Sequence, residues 1–176
     1  MSFLYSNPNA LSPYLKSRKN LYSEEGWNKI VERLQSSCTL YIGNLSFTTT
    51  EEQLYALFSK IASVKRVILG KNRFNGKACG FCFVDYYTPE DTKSALKYLN
   101  NMKLDGKTIR VDQDPGFEEG RQFGRGKHGG QVREEHRTDY DSKRGGWGHG
   151  DTYRPKRKRN FNSGGKRPQY KERKYK

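Results

Sequence analysis

The sequence has no long hydrophobic run, and nothing in it approaches the roughly 18 consecutive apolar residues of a membrane-spanning helix. Its opening residues lack a basic stretch followed by an apolar one, so no secretory leader is expected. Cysteine is scarce, at three residues (Cys38, Cys79 and Cys82). That argues against a disulfide framework and for a reducing compartment, cytosol or nucleus. The three histidines, His128, His136 and His149, stand at no ligand spacing, and no nucleophile–base pairing is legible. Catalysis, a metal and a cofactor are therefore not expected. Apolar residues are few as well: they make up 32% of the 176 residues, and mean hydropathy is −1.05. Such a composition supports one small core, with the remainder loosely structured. Negative charge is the last shortage. Against 19 Asp and Glu stand 34 Lys and Arg, a net charge of +15 that calls for an anionic partner. Nucleic acid is the commoner answer and an acidic membrane surface the weaker one.

The positive charge is unevenly placed. Residues 151–176 carry eleven Lys and Arg against two acids, leaving a net of +6 for everything before them. This low-complexity basic tail is expected to be disordered. Residues 1–37 read as an irregular extension that ends in a helix. From Glu24 to Gln35, the residues Trp27, Ile30, Val31 and Leu34 form one apolar stripe, with Ser23 as a possible cap. The stripe must be buried against the domain or a partner. Residues 115–150 mix glycine with charges and aromatics. They are expected to be a linker, or a segment that orders only on a ligand.

Between these flanks, residues 38–114 alternate strand and helix signals. Cys38–Gly43 is β-rich, and Thr50-Glu51-Glu52-Gln53 is a capping box opening a helix faced by Leu54, Leu57, Phe58 and Ile61. Val64–Leu69 and Cys79–Tyr87 are strands around a polar turn. Thr88-Pro89 starts a second helix striped by Thr92, Ala95, Leu96 and Leu99, and Lys107–Asp112 is the last strand. The order βαββαβ predicts an α+β, ferredoxin-like domain: a four-stranded antiparallel sheet with two helices.

Two motifs in this frame carry chemistry. Leu40-Tyr41-Ile42-Gly43-Asn44-Leu45 matches the first-strand hexapeptide of the RNA recognition motif. Gly80-Phe81-Cys82-Phe83-Val84-Asp85-Tyr86 matches seven positions of its third-strand octapeptide, with Cys79 and Cys82 as departures. Strand alternation puts Gly80, Cys82, Val84 and Tyr86 toward the helices with Leu40 and Ile42. It leaves Tyr41, Phe81 and Phe83 facing outward, where bases can stack on them. The rival reading is a sheet face occluded by a partner protein. On the last strand Arg110, Asp112 and Asp114 share the aromatic face. Their donors and acceptors suit a guanine edge, and a solvated salt-bridge cluster is an equal alternative. Three other patterns look like decoys. Gly124-x-Gly126-x-x-Gly129 has no expected strand before it or helix after it. Gly106-Lys107-Thr108 lacks the leading glycine of a P-loop, since position 101 is Asn. Cys79 and Cys82 would point to opposite strand faces and could not share a metal ion.

Longer stretches narrow the reading. Cys38–Phe47, Thr49–Gln53, Ala78–Val84 and above all Gly116-Phe117-Glu118-Glu119-Gly120-Arg121-Gln122-Phe123-Gly124-Arg125-Gly126 with Gly129–Arg133 resemble the small subunit of the nuclear cap-binding complex. The resemblance covers residues 38–147 well, the N-terminal extension loosely and the tail not at all. It implies a protein that binds the 7-methylguanosine end of capped RNA. The methylated base would be sandwiched between Tyr41 and a tyrosine of the N-terminal extension, Tyr14, with Tyr22 as the alternative. Phe81 and Phe83 would complete the aromatic face. The segment Arg110, Val111, Asp112, Gln113 and Asp114 would read the guanine edge, Gln113 replacing a residue that is commonly aromatic. Arg121, Arg125, Gln131 and Val132 would hold the triphosphate, with Gln122, Phe123 and Gly124 in the same segment. The resemblance also implies a large helical-repeat partner subunit, splicing and export of capped transcripts, and residence in the nucleus with shuttling to the cytoplasm. Arg154-Pro155-Lys156-Arg157-Lys158-Arg159 looks like a signal for a nuclear import receptor, or equally a non-specific RNA-binding arm.

Overall fold

The computed structural model describes residues 13–150, leaving aside the side chains of residues 13, 14 and 18. The expectations for the basic tail and for the Tyr14 ring therefore lie outside the described residues. Two helices come first: α1, Pro13–Arg18, and α2, Glu24–Ser36. Ser23 caps α2 by accepting a hydrogen bond from the Gly26 amide at 3.2 Å. Trp27 and Leu34 of its stripe are buried. The C-terminal turn of α2 is tied to the domain, because the Gln113 side-chain amide donates to the Leu34 carbonyl at 2.5 Å.

The domain follows the expected order. β1 is Thr39–Gly43, α3 Glu51–Phe58, β2 Val64–Lys71, β3 Ala78–Tyr86 and α4 Pro89–Leu99. Both helices start where the cap chemistry puts them. At α3, Thr50 and Gln53 exchange the two hydrogen bonds of a capping box, and at α4 Thr88 accepts from the Asp91 amide. The last strand is not one piece. Lys107–Thr108 (β5) pairs with Lys103–Leu104 (β4) in a small hairpin, and Arg110–Asp114 (β6) pairs with β1. Ile109 between them bonds back to Asn101 and Met102, so the ladder changes partner at that residue. The main sheet is antiparallel in the order β2-β3-β1-β6.

One face of this sheet packs on α3 and α4. Leu40, Ile42, Cys82, Val84, Tyr86 and Val111 meet Leu54, Phe58, Ala95 and Leu99 there, all essentially inaccessible. The alternation that assigned these residues inward follows from the two-residue period of a strand. Tyr86 places its hydroxyl within this core and satisfies it by donating to the Phe58 carbonyl at 2.9 Å.

Residues 115–150 differ from what their composition suggests. They are folded against the domain. Lys71 of β2 donates its amide to the Gln122 carbonyl (2.8 Å) and accepts from the Gly124 amide (2.9 Å). Arg73 and Asn72 hold the carbonyls of Gly129 and His128, both at 2.9 Å. A short helix, α5 (Val132–His136), and a hairpin of β7 (Tyr140–Asp141) and β8 (Gly146–Trp147) complete the segment. Its interior is ionic: Glu134 accepts from Arg137 at 2.7 Å and from Arg144 at 2.6 Å, with all three residues buried. Few apolar residues are needed because the segment borrows the domain's surface and satisfies its buried polar groups with one another.

Candidate nucleic-acid interface

The second sheet face is built on Tyr41. The β1 register sets Tyr41 opposite Phe83 on one side and Asp112 on the other, and Gly43 opposite Phe81 and Arg110. The aromatic rings therefore gather into one cluster. Tyr41 and Phe81 lie 5.8 Å apart and nearly parallel, and Phe83 meets both edge-on at 5.7 and 6.0 Å. Gly70 on β2 makes the packing possible, because a Cβ there would lie 2.5 Å from the Phe81 ring.

This face is less open than strand alternation alone implies. Phe81 is only 6% exposed and Phe83 only 2%, whereas Tyr41 keeps part of its surface. The cover is the chain beyond β6. Arg121 grips Asp114 with two parallel bonds of 2.6 and 2.7 Å, and the Gly116 amide donates to the same carboxylate at 3.0 Å. That clamp turns the chain back over the sheet, so Phe117 lands edge-on against Phe83 at 5.3 Å. The Arg121 guanidinium sits 4.9 Å above Phe83, and Arg66 lies 5.2 Å above Phe117. The exposed-platform expectation is thus corrected for Phe81 and Phe83: both are buried, Phe83 under Phe117 and Arg121 of the extension, and Phe81 against Tyr41, Phe83 and Gly70.

At the β6 edge the charges are specific. Arg110 donates its Nε to Asp112 Oδ2 at 2.8 Å, and its guanidinium stands 5.9 Å from the Tyr41 ring centre. Asp112 is 5% exposed, yet its Oδ1 has no hydrogen-bond partner among the described residues. Burial pushes the Asp112 carboxyl above the usual carboxylate range, and the Arg110 charge opposes the rise. The Tyr41 phenol is pushed up to about 12, mainly by burial with Arg110 opposing, so the ring is neutral at physiological pH. A neutral ring with an unpaired carboxylate oxygen beside it can take a planar group that carries donors on its edge.

The remaining candidate residues are placed as follows. Val111 sits in the helix-side core, and Gln113 turns toward α2. Gln122 is spent within its own turn, accepting from the Gly120 amide at 2.7 Å. Gly124 is buried, whereas Phe123, Arg125 and Val132 are exposed. Tyr22 is exposed and lies 6.3 Å from Trp27, ring centre to ring centre. Cys79 lies on the aromatic face and Cys82 in the helix-side core, on opposite sides of β3. The glycine pattern at 124–129 is followed by α5, contrary to expectation, but the helix has only five residues and opens no βαβ unit. Two residues with no role assigned from spacing or motif matter here: Phe117, which closes the platform, and Arg144, which lies beneath the loop after β1. Phe117 could have been suspected as the one aromatic among Gly116, Glu118 and Glu119. Arg144 carries no sequence signal at all.

Comparison with known proteins bears on the fold and the family. The RNA recognition motif family matches residues 40–110. Nuclear cap-binding protein subunit 2 of Ixodes scapularis is 64% identical over 115 residues, which span 65% of this chain and 76% of that protein. The Homo sapiens protein of the same name is 57% identical over 115 residues, covering 65% and 74% respectively. The Dictyostelium discoideum protein is 51% identical over 148 residues, 84% of this chain and 61% of that one. With identity this high over most of the first two relatives and an intact four-stranded sheet beneath it, the chain belongs to the nuclear cap-binding protein subunit 2 family.

Proposed function

We infer that this chain is the small subunit of a nuclear cap-binding complex and binds the 7-methylguanosine end of capped RNA. The observation that carries the reading is the pairing of Tyr41 with the unpartnered Oδ1 of Asp112 on an otherwise covered face. Methylation at N7 makes guanine cationic, so an electron-rich ring holds it more strongly than it holds plain guanine. Asp112 accepts from the donors on the base's Watson–Crick edge, and Arg110 donates to its O6. Tyr14, with Tyr22 as the alternative, closes the sandwich from above. Arg121, Arg125, Gln131 and Val132 hold the triphosphate through charged donors and backbone amides. The work is binding, not catalysis, and it serves splicing and export of capped transcripts.

A large helical-repeat subunit supports the N- and C-terminal extensions, and the exposed flank of α2 is one surface it can reach. The basic tail engages an import receptor, so the protein resides in the nucleus and shuttles to the cytoplasm. A generic single-stranded RNA binder is the second reading, and the burial of Phe81 and Phe83 weighs against it. The test is retention on 7-methyl-GTP resin, with and without the large subunit, competed by free nucleotide. Free 7-methyl-GTP should elute the protein where GTP does not, and Tyr41→Ala should lower retention at least about 100-fold, losing both stacking and cation–π attraction. Equal elution by the two nucleotides would replace the cap reading with the generic one.

A further inference from the structure

Arg144 is 2% exposed and is among the largest fully buried side chains of the described residues. Its donors reach Glu134 Oε1 at 2.6–2.7 Å, the Leu45 carbonyl at 3.1 Å and Gln131 Oε1 at 3.2 Å. Its guanidinium also lies 5.1 Å from the Phe47 ring centre. It thus joins the loop after β1 to the start of α5. Room for it comes from the octapeptide glycine. Gly80 has φ of +82°, and a Cβ there would come within 2.7 Å of Arg144 Nη1. Gly80 therefore admits the arginine and adopts a backbone that side chains disfavour.

The bond to Gln131 has a chemical consequence. Arginine carries only donors, so the Gln131 amide must turn its oxygen toward Arg144 and its nitrogen away. That nitrogen, Nε2, is buried and has no hydrogen-bond partner among the described residues. An unpaired buried donor is costly and survives where something later satisfies it. The surrounding charge is also unbalanced, since one carboxylate, Glu134, serves two buried arginines. Arg144 also acts on the aromatic face: burial raises the Tyr41 phenol and the Cys79 thiol, Arg110 and then Arg144 oppose the rise at Tyr41, and Arg144 opposes it at Cys79 while Glu134 adds to it.

Resting on the cap reading above, we propose that Arg144 is a positioning residue for the polyphosphate of the ligand: it fixes the Gln131 amide so that Nε2 donates to a phosphate oxygen. Arg144 itself stays buried and touches no ligand. It acts through Gln131, which leaves the stacked base to Tyr41.

The experiment compares 7-methyl-GTP with 7-methylguanosine, which lacks phosphates, on the full chain assembled with the large subunit. Arg144→Lys keeps the charge and loses the fork. It should weaken 7-methyl-GTP binding about tenfold, the cost of one charge-assisted hydrogen bond, and leave the nucleoside within about twofold. In a Gln131→Ala background the effect of Arg144→Lys should vanish, because the two residues act as one unit. Equal weakening for both ligands, or full additivity with Gln131→Ala, would overturn the proposal. Should Arg144→Lys fail to fold, the wild-type side-chain NMR signals decide. The Gln131 Nε2 and Arg144 Nε resonances should shift with 7-methyl-GTP and stay fixed with the nucleoside; unmoved signals with both ligands would overturn it. A wild type that does not bind 7-methyl-GTP at all would instead sink the cap reading itself.

Discussion

The two faces of the sheet are closed by different physics. On the helix side, α3 and α4 bury aliphatic and aromatic side chains to near-zero exposure, and the driving force is removal of apolar surface from water. On the other side a polar, glycine-rich segment is pinned by a carboxylate–guanidinium fork at Asp114 and laid over Phe83 by Phe117. The first closure is continuous. The second stops at Tyr41, which keeps part of its ring exposed beside an unsatisfied carboxylate oxygen. One face is therefore a foundation, and the other is a site whose size is set by what covers it.

The largest effect separating them is on stability. Phe58→Ala, at a fully buried position under the sheet, should cost about 3–5 kcal/mol, seen as a lower urea midpoint. Phe117→Ala removes a partly exposed ring that covers a site, and should cost only about 1–2 kcal/mol of stability. Its main effect should be on specificity. With Phe83 uncovered, uncapped single-stranded RNA should bind more tightly, at about 1–3 kcal/mol for each newly stacked base. Fluorescence titration with an uncapped oligonucleotide checks this. If Phe117→Ala destabilised the chain as much as Phe58→Ala, the two faces would not differ in kind.

The same contrast decides what could be read in advance. Periodicity follows from backbone geometry, so Leu54, Phe58, Val84 and Tyr86 were assignable to the core from spacing alone. Capping boxes are local, and Thr50 and Thr88 mark their helices accurately. The break at Ile109 depends on which neighbour the strand finds, and spacing there is silent. The cover over the platform was illegible for a deeper reason. It depends on Arg121 finding Asp114 and on Arg144 finding Leu45, 99 residues away, and a polar composition reads as a linker unless those partners are known. Tyr41 and Asp112 could be proposed as cap contacts because they stand on strands whose parity is fixed; Asp114 shares that parity, but its carboxylate is taken by Arg121.

Asp112 offers the smallest and most pointed test of the two-face picture. Its folded-state pKa lies above its unfolded value because burial outweighs the attraction of Arg110. The native state therefore holds the proton more tightly than the unfolded chain does. Stability falls as pH rises from the unfolded pKa through the folded one, and the ionised carboxylate is a standing cost at neutral pH. Asp112→Asn removes that charge at nearly constant shape, so the thermal midpoint of the free chain should hold or rise slightly. Cap affinity should move the other way and fall about tenfold, because a neutral amide is a weaker acceptor for the guanine edge than a carboxylate. In the wild type, affinity should decline as pH drops through the raised Asp112 pKa, and the variant should lack that limb. A variant that lost stability together with affinity would show Asp112 to be part of the foundation. Stability kept while affinity falls is the behaviour of a residue that the fold tolerates for the sake of its ligand.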